Sequence, residues 1–130
     1  MEDLVAFLRA RLDRDEAVAR ACMSASWKVT AGGRVRVDSW PETAGDAPGH
    51  PERQGFVASA ENEAYAEHIV RHDPRRVLRR VEAQRKAVAL YEKEQWARQR
   101  GVPGSGVLET VLRDLASQYS DHPAYRPEWA

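Results

Sequence analysis

Hydrophobic positions in the first 24 residues recur with a helical period. Leu4, Leu8 and Leu12 are four apart, Val5 and Phe7 widen the stripe, and Val18 and Cys22 extend it. That spacing predicts an amphipathic helix over 3–24. Glu2 and Asp3 fall at the positive end of its dipole. Arg9 with Asp13, Arg11 with Asp15 and Glu16 with Arg20 are four-apart pairs on its polar face, each worth ~0.3 kcal/mol. Between 27 and 37 the period changes from helical to alternating. Trp27, Val29, Val35 and Val37 interleave with Lys28, Thr30, Arg34 and Arg36 around Gly32-Gly33, which predicts a β-hairpin. A two-residue turn at the glycines would set Val29 opposite Arg36. A three-residue loop, Ala31 to Gly33, sets Val29 opposite Val35 and Trp27 opposite Val37. A slip of one residue flips every side chain, so the apolar face selects the three-residue loop. Lys28 then faces Arg36, a mild repulsion.

Residues 38–55 carry Pro41, Pro48 and Pro51 with Gly45, Gly49 and Gly55, and read as a flexible surface loop. Loops of this length tend to be functional or disordered. Phe56-Val57-Ala58 is the candidate for a short third strand. Ser59 is the expected cap of a helix over 60–72 with Ala64, Tyr65, His68 and Ile69 as its stripe. Asp73-Pro74 restarts the chain, Asp at the N-cap and Pro at the first helical position. The helix from 74 to about 100 turns Val77, Leu78, Val81, Val88 and Tyr91 inward, and the run from Gly101 to Gly106 ends it. A last helix over 106–119 places Leu108, Val111, Leu112, Leu115 and Tyr119 on one face, and should pair antiparallel with the long helix. Tyr125 and Trp129, four apart in the tail, are expected to fold back and dock. There are no internal repeats.

These elements predict an α+β fold, mostly helical. Three to four helices form the core, with a small antiparallel β-hairpin that a third strand would extend. The 130 residues suit one domain, residues 1–130. A net charge of zero argues against a dedicated nucleic-acid or membrane-surface protein. The single cysteine, Cys22, excludes an internal disulfide and a cysteine zinc cage. The acidic N-terminus lacks a signal-peptide pattern, and no stretch approaches the ~20 apolar residues of a membrane span. The expected location is the cytoplasm. Of the 20 basic residues only Lys28, Lys86 and Lys93 are lysine, leaving 17 arginines. In so arginine-rich a chain, an arginine cluster carries less functional weight.

Three stretches also carry a likeness: LVAFLRARLDRDEAVARA at the start, HDPRRVLRRVEAQRKAV in the middle and YSDHPAYRPEW at the close. In wording and order they resemble a family of small actinobacterial and actinophage proteins known as domain of unknown function 6221. The resemblance covers roughly half of the chain. It implies a Streptomyces-like host or one of its phages, and it implies no activity. Many relatives have a cysteine-containing stretch between the long helix and the last one. Here that stretch reads WARQRGVPGSGVLET, so a metal role suspected for such relatives does not carry over.

The candidate chemistry is sparse. His68 and His72 share a helical face at four-residue spacing and could chelate a metal, with Asp73, His122 or His50 as a third ligand. The competing reading is a packed histidine and a helix-end histidine. Arg75, Arg76, Arg79 and Arg80 share a face of the long helix and could track phosphates. No aromatic residue is interleaved for base stacking. The competing reading is a solvated face covered by acids of the first helix. Trp40 and Trp96 are candidate anchors for a partner, or else covers for the sheet and helix ends. No catalytic residue is assigned. Cys22 falls on the apolar side of the first helix, where a buried thiol is inert. Ser105 lacks a nucleophile-elbow setting, and glycines 101, 104 and 106 match no phosphate loop. The expectation is a non-enzymatic protein without cofactor, binding a protein partner or a second copy of itself. Nucleic-acid binding is the alternative, a metal site at His68/His72 the second alternative, and no membrane is involved.

Overall fold

The computed structural model describes residues 2–41 and 55–130. Residues 42–54, most of the expected 38–55 loop, lie outside the described residues. The elements are helix α1 (Glu2–Ala21), strand β1 (Ser26–Thr30), a 3-10 turn (Ala31–Gly33), β2 (Arg34–Ser39), β3 (Phe56–Ser59), α2 (Glu63–Val70), α3 (Pro74–Arg98), α4 (Val107–Ser117) and a closing 3-10 turn (Pro127–Trp129). The fold is α+β and mostly helical, with a three-stranded antiparallel sheet in the order β1-β2-β3. Its contacts divide into two compact units, one of residues 1–14 with 81–130, the other of residues 15–80.

In the first unit, Leu4, Val5, Phe7 and Leu8 of α1 pack with Val88 and Tyr91 of α3 and Leu112 and Ala116 of α4. Gln118 donates to Gln84 at 3.1 Å at one end, and Ser105 N–H donates to the Glu94 carboxylate at 3.1 Å at the other. The two ends fix α4 antiparallel to this part of α3. At the turn, a Cβ on Gly104 would displace the ends of the Glu94 and Arg98 side chains, and with them the Ser105–Glu94 bond. The tail folds back and seals the core. Trp129 is buried, its ring 5.1 Å from that of Phe7, with Tyr125 and Tyr119 edge-on to the same ring at 6.0 and 6.3 Å. Such edge-to-face groups add to the area term.

The second unit is built on the hairpin. Val29 pairs with Val35, Trp27 with Val37 and Lys28 with Arg36, the register that the apolar alternation selects. Lys28 offsets its like-charged neighbour by reaching Asp38 at 3.8 Å. Val35, on the central strand, is fully buried. The third strand forms on β2. Ala60 N–H then donates to Gly33 O at 2.9 Å, which brings the chain so close that a Cβ on Gly33 would stand 2.8 Å from Ala60 O. Gly33 also has φ +73°, a region costly for other residues.

Several local expectations are corrected. α1 ends at Ala21 rather than 24. Ser24 N–H bonds to Ala19 O at 3.1 Å and Met23 N–H to Arg20 O at 3.0 Å, a Schellman stop without glycine. Ser59 belongs to β3. The cap of α2 is Asn62, whose side chain accepts from Tyr65 N–H at 2.8 Å. The helix begins three residues later than expected, turns Ala66 inward and leaves Tyr65 and His68 exposed. Of the three pairs expected on α1, Glu16–Arg20 forms at 2.9 Å. Arg9 instead pairs with Glu92 and Asp13 with Arg85, and Arg11 meets His122. Tertiary partners outcompete neighbours worth ~0.3 kcal/mol.

Candidate functional site

Asp73 organises the start of α3. One carboxylate oxygen accepts from Arg76 N–H at 2.9 Å, the N-cap bond, and the other accepts from Trp27 N–H of β1 at 3.0 Å. Arg75 N–H donates to Ala25 O at 3.1 Å, and the Arg75 guanidinium donates to Ser39 Oγ at 3.0 Å. Arg75 therefore leaves the basic row and is half-buried in the hairpin. Arg71 pairs with Glu67 at 2.8 Å. Arg76, Arg79 and Arg80 remain exposed, and among the described residues their guanidinium groups meet no acid. Asp73 is spent on main-chain amides, and Glu82 pairs with Lys86 at 3.6 Å. Within the second unit the expected cover of acidic side chains is not formed by the described residues.

Beside Arg80 lies a shallow concavity of about 190 Å³ lined by Val18, Ala19, Cys22, Trp27, His72 and Val77, with Asp15 as its acidic member. Val18, inside α1, and Cys22, just past its end, are exposed here and not buried in a helix stripe. Trp27, carried in from β1, supplies the aromatic ring that the basic run lacks in sequence. Period-two alternation placed Trp27 on the hairpin. Nothing in the sequence placed the hairpin against α3.

The two anchor candidates differ. Trp40 is half-buried, its ring edge 3.6 Å from where a Gly55 Cβ would stand. Trp96 is 57% exposed, with the Arg100 guanidinium stacked 3.7 Å from its ring centre. Trp96 walls a groove of about 530 Å³ between α1 and α3 of the first unit, floored by Val5, Ala6 and Tyr91 and edged by Gln95, Gln99 and the Arg9–Glu92 pair. The Tyr91 side chain is buried and its hydroxyl has no hydrogen-bond partner among the described residues. Burial, reinforced by the Glu109 carboxylate, pushes the Tyr91 phenol above the usual tyrosine range.

The rings of His68 and His72 lie 4.6 Å apart, both exposed. Among the described residues no third ligand completes a metal-holding group. Asp73 is occupied, His122 meets Arg11 and accepts from Ala124 N–H at 3.0 Å, and His50 lies outside the described residues. Ser105 Oγ accepts from Val107 N–H at 3.3 Å and serves the turn. Among the described residues no helix is long and apolar enough to cross a membrane.

The model of a family of unknown function (DUF6221) matches residues 1–130. No curated protein and no solved structure matches the chain.

Proposed function

Because the chain belongs over residues 1–130 to a family of unknown function (DUF6221), we propose its role from its surfaces: a small intracellular accessory protein, actinobacterial or actinophage in origin, that acts without catalysis by binding a protein partner or a second copy of itself. The observation that carries this reading is Trp96, exposed on the wall of the α1–α3 groove. Tryptophan at the centre of a patch contributes much of the binding energy of many interfaces, because its large ring is desolvated at little entropic cost. Arg100 holds the ring from one side. The apolar floor of the groove, edged by the glutamine amides, matches the apolar centre and polar rim of many interfaces. The loop 38–55 with Trp40 is a second contact region in this proposal.

Trp96→Ala changes an exposed ring and should alter stability by under ~0.5 kcal/mol. Sedimentation velocity on wild type and variant, with affinity capture and identification of bound proteins, tests the reading. The expected result is a loss of self-association or of one specific partner by tenfold or more. Identical mass and identical partners in both proteins would remove the groove from consideration. Deleting residues 42–53 tests the loop separately: binding that survives the deletion unchanged removes that region.

A further inference from the structure

Arg76, Arg79 and Arg80 stand on successive turns of α3, with Arg76 and Arg80 about 6 Å apart along the axis at 1.5 Å per residue. Neighbouring arginines have fixed partners, Arg71 on Glu67 and Arg75 on Ser39, whereas the guanidinium groups of Arg76, Arg79 and Arg80 meet no acid among the described residues and stand together on one exposed face. Arg80 also lines the concavity where Trp27, Val18, Val77 and His72 make an apolar and aromatic pocket. At about 190 Å³ it falls below the ~300–1,000 Å³ of sites that enclose a whole cofactor. It has room for one flat ring.

We propose that this face of the second unit binds single-stranded nucleic acid, with backbone phosphates on Arg76, Arg79 and Arg80 and one base laid into the concavity against Trp27. Guanidinium forks match phosphate oxygens in pairs and are weakly hydrated, so they hold a strand without reading its sequence. An aromatic ring adds affinity for any base, because every base has a π-face. In a duplex the bases are stacked inside and cannot enter the concavity, so the ring favours single strands. An acidic peptide without aromatic side chains would use the arginines and gain nothing from the pocket. This surface is separate from the Trp96 groove, and the two proposals stand or fall independently.

The test is fluorescence anisotropy with a labelled 15-nucleotide single strand, the matching duplex and a poly-glutamate peptide, across a salt series. The single strand should bind more tightly than both competitors. Arg76→Glu with Arg80→Glu should abolish binding, and each single Arg→Ala should lower the log–log salt slope by about 0.7. Trp27→Leu should weaken the single strand about tenfold and leave the slope unchanged. Val18→Phe, which fills the concavity from an exposed position without adding charge, should have the same effect and serves if Trp27→Leu fails to fold by circular dichroism. Trp96→Ala should bind as wild type. No binding of the single strand at low salt overturns the proposal. Equal binding of duplex or poly-glutamate overturns it too, as does indifference to both concavity variants, since any of these would make the face a simple cation patch.

Discussion

Asp73 and Trp27, 46 positions apart, are joined by a 3.0 Å hydrogen bond from the Trp27 main-chain N–H to one carboxylate oxygen of Asp73. The other oxygen caps α3 through Arg76 N–H. One buried side chain thus satisfies a helix start and ties it to β1. Asp73→Ala removes both acceptors. A lost N-cap costs ~1 kcal/mol and an orphaned main-chain donor ~1–3 kcal/mol, so a loss of ~2–4 kcal/mol is expected in urea denaturation. Asp73→Asn keeps one acceptor oxygen and should fall between wild type and alanine. Equal stability of Asp73→Ala and wild type would show that the carboxylate bridges nothing.

Tyr91 is 3% exposed and its hydroxyl lacks a partner among the described residues. A buried hydroxyl without a bond costs stability instead of adding it, so Tyr91→Phe should be neutral or stabilising by up to ~1 kcal/mol. The pH dependence has a definite sign. Burial raises the folded-state pKa above the ordinary value near 10. The contribution is therefore fully present below pH ~10 and is lost as pH rises through the raised folded value. Comparing urea midpoints of wild type and Tyr91→Phe between pH 8 and 11 isolates this group from the other tyrosines. A difference that stays constant across the range would count against it.

Met23 sits at φ +63° in the first position after the α1 cap, where helices most often place glycine. The left-handed region costs a non-glycine residue ~1–2 kcal/mol, and glycine pays part of that back in unfolded-chain entropy. Met23 is half-buried and gives up some packing. A net gain of ~0.5 kcal/mol is expected for Met23→Gly, read as a higher thermal midpoint, and Met23→Val at the same place should be destabilising.

This stop explains why the end of α1 was hidden in the sequence. The apolar spacing runs on through Val18 and Cys22, and no glycine marks the break. The hairpin was legible to the residue, because period-two alternation leaves one register with a continuous apolar face. The start of α3 was legible because Asp73-Pro74 combines an acceptor with a fixed φ. Partner choice among the charges was not. Arg9 has Asp13 four residues away and pairs with Glu92 instead. Sequence spacing sees neighbours on one helix and is blind to the helix that packs beside it. The candidate surface suffers from the same blindness: the open arginines were legible as a row, while Trp27 beside them depends on how β1 lies against α3.

Leu112 and Leu115 test the core of the first unit. Both lie on the apolar stripe of α4, but Leu112 is fully buried and Leu115 is half-buried at the margin. Truncating a fully buried leucine costs the transfer energy plus the cavity left behind, ~2–5 kcal/mol. Leu112→Ala should fall in that range. Leu115→Ala should cost under about half as much, since its surroundings already reach water and can relax. The charged variants sharpen the contrast. Leu112→Asp buries an unpaired carboxylate among Leu4, Leu8 and Val88 and should leave no cooperative unfolding transition. Leu115→Asp has a route to solvent, so it should keep a weakened transition. Measured by urea denaturation with circular dichroism, a cooperative and soluble Leu112→Asp variant would mean that α4 does not seat this face on α1 and α3.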